Sequence, residues 1–234
     1  MSRLGLLVLL LMLGACAQQP LTPAPAGAAV TAPAPEQWLQ TLPADQRYRL
    51  DPDRSRLRLY VFRGGAMARL GHNHVLQPRQ WQAALHLPDP ARPASARFEI
   101  ALPLAQLAID DPAWRAETGA AFAGERTAEE IRGTQTNLLK PFAPDPDPQL
   151  RLSATAVHGD WPQLVAELRV ILAGVSREMA VPLTVTREAG GYRVQGRLAL
   201  RQSDFGLSPF SVLGGALAVQ DWVSAEFDLQ LQPG

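Results

Sequence analysis

Cysteine occurs once in the 234 residues, at Cys16, so no intramolecular disulfide can form and the fold must be held by burial alone. Lysine is equally scarce. Lys140 is the only one, which removes a P-loop and leaves little room for Schiff-base chemistry. Neither Gly-x-Ser-x-Gly nor His-Glu-x-x-His is present, so the common hydrolase and metalloprotease signatures fail. No charge excess exists either: Lys and Arg number 22, as do Asp and Glu, and this balance argues against a nucleic-acid partner.

What the chain does have begins with an apolar run, Leu4 to Leu13, after Arg3 and before Leu13-Gly14-Ala15-Cys16. The run falls short of the roughly 20 residues that span a bilayer. Its pattern resembles a bacterial lipoprotein signal, in which residues 1–15 are removed and Cys16 carries the lipid. An ordinary signal peptide or an uncleaved anchor is the plainer alternative. Ala17 stands where an aspartate would hold such a protein at the inner membrane, so the resemblance implies the outer membrane, on its periplasmic side. Residues 16–45 follow as a linker with prolines at 20, 23, 25, 33 and 35. Such a stretch up to about Pro43 reads as a polyproline-like stalk without helix or sheet, reaching about 80 Å at ~3.1 Å per residue. Residues 46–234 then suit one domain.

Within that domain most segments alternate apolar and polar residues, the period of a strand with one buried face. Arg56 to Phe62 places Leu57, Leu59 and Val61 on one side, and Arg97 to Leu102 groups Phe98, Ile100 and Leu102. Further runs are Leu150 to Val157, Leu164 to Leu172, Met179 to Thr186, Tyr192 to Arg201 and Val219 to Leu231. The last aligns Val223, Ala225, Phe227, Leu229 and Leu231. Gly190-Gly191 predicts one hairpin, and Gln77-Pro78 predicts another that joins Ala68–Leu76 to Gln80–Leu87. Between Pro103 and Lys140 the alternation gives way to helix formers. The expected fold is therefore mainly all-β, an antiparallel β-barrel of about eight strands with a helical insert.

Four pieces in order carry a resemblance. Tyr48-Arg-Leu-Asp-Pro-Asp-Arg-Ser55-Arg-Leu57, Leu150-Arg-Leu-Ser153, Gly174-Val-Ser-Arg-Glu-Met-Ala-Val-Pro182-Leu183 and Arg201-Gln-Ser203-Asp204-Phe205-Gly206-Leu207 are similar to the YceI-like family, from 48 to 231. The resemblance implies a lipocalin-like barrel with a long apolar cavity that binds polyisoprenoid chains, such as isoprenoid quinones, without chemistry. Trp81, Phe98, Trp222 and Phe227 are candidate cavity walls, against the plainer reading that they are ordinary core.

Leu70-Gly71-His72-Asn73-His74-Val75 is more polar than the family pattern. Read as a strand, it puts His72 and His74 on one face, where two imidazoles can supply part of a zinc, copper or haem site. With Gln77-Pro78 as a two-residue turn, Trp81 lies across from His74, Ala83 across from His72, and His86 turns away. No third ligand stands out among His86, His158, Asp204 and Asp221. A hydrogen-bonding role at the barrel mouth is preferred over metal ligation. Asp145-Pro-Asp147-Pro lacks the glycine of a calcium loop and reads as a rigid turn.

These residues lead to three expectations. The first is a non-enzymatic, membrane-tethered carrier or sink for an isoprenoid, a quinone or another long apolar lipid, which requires no cofactor. The second is a metal- or haem-dependent redox or stress protein using His72 and His74. The third is a structural envelope module.

Overall fold

The structure is a computed structural model and describes residues 35–234, so Cys16, the signal and most of the linker lie outside the described residues. Among the described residues twelve strands are linked by hydrogen bonds. In chain order they are β1 (Arg47–Leu50), β2 (Arg56–Gly64), β3 (His74–Pro78), β4 (Gln82–His86), β5 (Arg97–Pro103) and β6 (Leu107–Ile109). After the insert come β7 (Gln149–Asp160), β8 (Gln163–Leu172), β9 (Val175–Glu188), β10 (Gly191–Arg201), β11 (Ser211–Val212) and β12 (Leu217–Pro233).

The long final strand explains the closure. One edge of β12 pairs with β10, and the other pairs first with β2 and then, from Leu231 to Pro233, with β1. β1 and β2 are thus two parts of one interrupted strand. β3 pairs with β2 while β4 pairs with β1, and β6 pairs with β3 while β5 pairs with β4. Three broken strands and five continuous ones make a closed, up-and-down antiparallel barrel of eight. Closure leaves no long edge to pair with another chain.

This arrangement corrects the hairpin expected at Gln77-Pro78. β3 and β4 lie end to end, with Arg79 N–H donating to Gln106 O across the break. His74 faces Val61 rather than Trp81, and the turn that reverses the chain is Gly65–Asn73, which contains a 3-10 turn at Ala68–Leu70. Pro78 supplies no N–H, so it interrupts the ladder without reversing the chain. The Gly190-Gly191 hairpin is present, with Gly190 at φ +84°.

Alternation then sorts the side chains. Leu57, Leu59, Val61, Phe98, Ile100, Leu102, Ala225, Phe227 and Leu229 all face the interior. Arg193 with Asp228 and Arg197 with Glu226 pair across strands on the outside.

The insert is only partly helical. It holds α1's successors in sequence, α2 (Pro112–Thr118) and α3 (Ala128–Leu139), where α1 (Pro35–Leu39) precedes the barrel. Asp111 caps α2, and Thr127 and Glu130 form a reciprocal capping box at the start of α3. Of Leu104–Leu107, expected as helix, Leu104–Gln106 form a 3-10 turn and Leu107 opens β6. The expected stalk also ends earlier than Pro43. Glu36-Gln-Trp-Leu-Gln40 is free of proline, and α1 docks on the barrel with Leu39 buried and Trp38 Nε1–H donating to Glu99.

Candidate functional site

The barrel is hollow. A cavity of about 880 Å³ runs along it, near the upper end of the ~300–1,000 Å³ common for small-molecule sites. Small inward residues create the space: Ala83 and Ala225 stand where large side chains would fill the middle. At Gly196 a Cβ would sit 2.5 Å from the Phe227 ring, so the missing side chain leaves that ring its place.

The two ends of the cavity differ. At one end Trp161 stacks on Tyr192 with centroids 5.9 Å apart, Tyr48 meets Tyr192 edge-on at 5.0 Å, and Leu87 and Leu164 are buried beneath. At the other end the lining residues Phe210 (39%) and Val212 (37%) and the rim residue Leu213 (68%) are exposed, which marks the mouth. Leu70, on the adjoining loop, is exposed as well. Leu138 of α3 and Phe142 of the following turn extend the wall at this end.

The mouth also carries the polar cluster. His74, at the start of β3, lines the cavity and donates Nδ1–H to Asp110 Oδ2 at 2.6 Å. Asp110 directly follows β6 with φ +56° and is 2% exposed. Its other oxygen, Oδ1, accepts from Val75 N–H at 3.0 Å and from Arg115 at 2.6 Å. Arg115, also buried, donates further to the carbonyls of Asn73, Ala123 and Gly124. Burial would raise the Asp110 pKa, yet the hydrogen bonds from His74, the Val75 N–H and Arg115 together hold it below the usual carboxylate value. Asp110 is therefore ionised, its charge matched by Arg115.

His72 takes no part in that chain. Its Nε2 lies 3.6 Å from Glu130 Oε1 of α3, and its side chain is 41% exposed. Partial burial and then the Arg126 charge push its pKa below that of ordinary histidine. Gly71–Asn73 is not strand, so the expected shared face does not form: His72 turns to α3 and His74 to the cavity. Asn73 between them accepts from Arg63 N–H and donates to Ala121 O, tying the turn to the insert.

Trp81, Phe98 and Phe227 line the cavity beside His74. Trp222 does not: it is 44% exposed on the outer face, with the Arg201 guanidinium 4.5 Å over its ring. Alternation places Val219 and Val223 inward and Trp222 outward, and the register shift between the two valines adds an even number of residues and leaves that phase unchanged. His86 bonds Gln46 and His158 bonds Glu167, both away from the cavity, and Asp221 accepts from Ser203. Among the described residues no three His, Cys, Asp or Glu side chains are grouped to hold a metal. Sequence reasoning missed Asp110 and Arg115. The visible signal was an aspartate closing the apolar run Leu107-Ala-Ile109, but nothing in the spacing tied it to a histidine 36 positions earlier.

A family model describing the YceI-like domain matches residues 48–231. The chain belongs to the YceI-like family. BcnA from Burkholderia cenocepacia is similar in structure, with a TM-score of 0.52 at 16% identity, covering 77% of this chain and 98% of that one. A YceI protein from Campylobacter jejuni gives a TM-score of 0.43 at 12% identity, covering 66% of this chain and 83% of its own. No curated protein matches this chain. The YceI-like barrel with its hollow apolar interior is thus the frame in which His74 and its partners sit.

Proposed function

We propose that this protein is a lipid-tethered envelope protein whose barrel carries or sequesters one long apolar molecule, an isoprenoid chain or quinone, without altering it. The observation that carries this reading is the cavity itself: an apolar tube shut by aromatic rings at one end and open at the other. Each CH₂ of a chain drawn from water into it contributes about 0.8 kcal/mol, so a long chain needs no further polar contact for tight binding. The YceI-like fold supports the same reading. The open mouth, rimmed by Leu70, Phe210, Val212 and Leu213, is the route for exchange.

The test is solvent extraction of protein purified from native membranes, with thermal melting in added isoprenoid quinone. An apolar molecule above a control protein, and a melting temperature that rises with ligand concentration, are expected. An empty extract and no shift would overturn the carrier. The tether rests on Leu13-Gly14-Ala15-Cys16: labelled palmitate should enter the wild type and not Cys16→Ser, and an unlabelled wild type would overturn it. The residues at the signal support the outer membrane, periplasmic side, as the site of attachment.

One observation favours a second reading, haem or metal ligation. A ligating histidine commonly donates its other N–H to a carboxylate, as His74 does to Asp110. Metal analysis and absorbance of the purified protein decide it. The carrier predicts no stoichiometric zinc, copper or haem.

A further inference from the structure

We propose that His74 reads the ligand's polar head, and that the molecule carried is an apolar chain ending in a hydroxyl. The inference rests on the carrier reading and specifies it. Asp110 can only accept from His74, which places a proton on Nδ1, and in the neutral ring Nε2 is then a lone-pair acceptor. Among the described residues that nitrogen has no hydrogen-bond partner, while His74 borders the cavity near its mouth. Asp110 carries its own counter-charge in Arg115, and the pair is neutral without a charged imidazole.

A neutral acceptor that faces the cavity selects a donor. A hydroxyl fulfils it, whereas an ester or hydrocarbon end leaves Nε2 desolvated and unpaired. Arg115 is spent on Asp110 and three backbone carbonyls, so it offers nothing to an anion. The cations that do border the cavity, Lys140 and Arg201, sit at its rim, and Arg201 lies over Trp222. The geometry places the head at the mouth and the chain toward Trp161 and Tyr192.

The carboxylate also makes the proposal testable through hydrogen-bond polarity. Oδ1 of Asp110 receives two N–H donors, so in Asp110→Asn the amide oxygen must stay there and the NH₂ must face His74. That NH₂ donates to Nδ1 and moves the imidazole proton to Nε2, converting an acceptor into a donor.

The experiment compares a polyprenol with the polyprenyl acetate and polyprenyl phosphate of the same chain length, by displacement of a fluorescent fatty probe from the folded protein. The wild type should bind the alcohol about tenfold tighter than the acetate. His74→Leu should bind both equally, and Asp110→Asn should bring the acetate level with the alcohol. Equal wild-type affinities for alcohol and acetate, or a preference for the phosphate, would overturn the assignment while leaving the carrier intact. Failure of all three to bind overturns the carrier and the assignment together. Should either variant melt before binding can be measured, the ranking of alcohol against acetate by the wild type decides alone.

Discussion

The closed end and the mouth of the barrel are built on opposite principles. At the closed end Trp161, Tyr192, Tyr48 and Leu87 fill space, and shape is nearly all that matters. At the mouth a buried carboxylate, a guanidinium and an imidazole share one spot, and each is tolerated only because the others satisfy it. A plug can lose one partner and repack. A buried polar chain cannot, since the remaining member is left charged and dry.

The sharpest way to break this contrast is Arg115→Ala. Removing one partner of a buried ion pair costs about 3–5 kcal/mol. Three carbonyls lose a donor as well. Urea unfolding should show a loss of that order, against about 2–4 kcal/mol for Leu87→Ala at the closed end, where one cavity is added to a larger one. Comparable or smaller loss at Arg115 would erase the distinction.

Next in size is a change between the two ends. Ala225→Phe points a ring into the middle of the cavity and should lower isoprenoid affinity at least tenfold, or about 1.4 kcal/mol. Because the ring enters empty space, the melting temperature of the unliganded protein should stay level or rise, which a calorimetric scan reads directly.

Acid titration gives a more modest difference. The folded Asp110 pKa is depressed, so its stabilisation is complete above the unfolded carboxyl value and is lost as pH falls through the folded one. Stability should decline below about pH 4. The decline should be shallower in Asp110→Asn, measured by urea midpoints against pH; an identical acid limb in both would contradict the role given to Asp110.

The smallest expected effect is at the rim. Leu213→Ser removes an exposed apolar group and should leave stability within about 0.5 kcal/mol. Release of bound lipid to vesicles should slow a few-fold, while the same change at Val165, exposed on the side wall, should not alter it.

The YceI-like barrel was legible in the sequence because side chains on a strand alternate sides whatever the strand's neighbours. Leu57-x-Leu59-x-Val61 and Val223-x-Ala225-x-Phe227 therefore declared their inward faces before any pairing was known. Phe98, Phe227 and Trp81 were legible as wall for the same reason or by proximity, and the length of the domain bounded the strand number. Trp222 is one residue out of step with Val223, Ala225 and Phe227, so the same alternation turns it outward, and naming it as wall ran against the pattern. Gln77-Pro78 misled because a proline that breaks a ladder looks, locally, like one that turns a chain.

By itself, then, the sequence determined that the domain is a barrel without disulfide support, which faces are apolar, and that two histidines lie close together in a short polar stretch between apolar residues. The tertiary structure alone decided that the barrel is hollow, that one end is shut, and that His74 rather than His72 meets the cavity. The reason is physical. Alternation is a property of one strand, but a void and a buried His74–Asp110–Arg115 chain exist only where strands and loops distant along the chain close on one another.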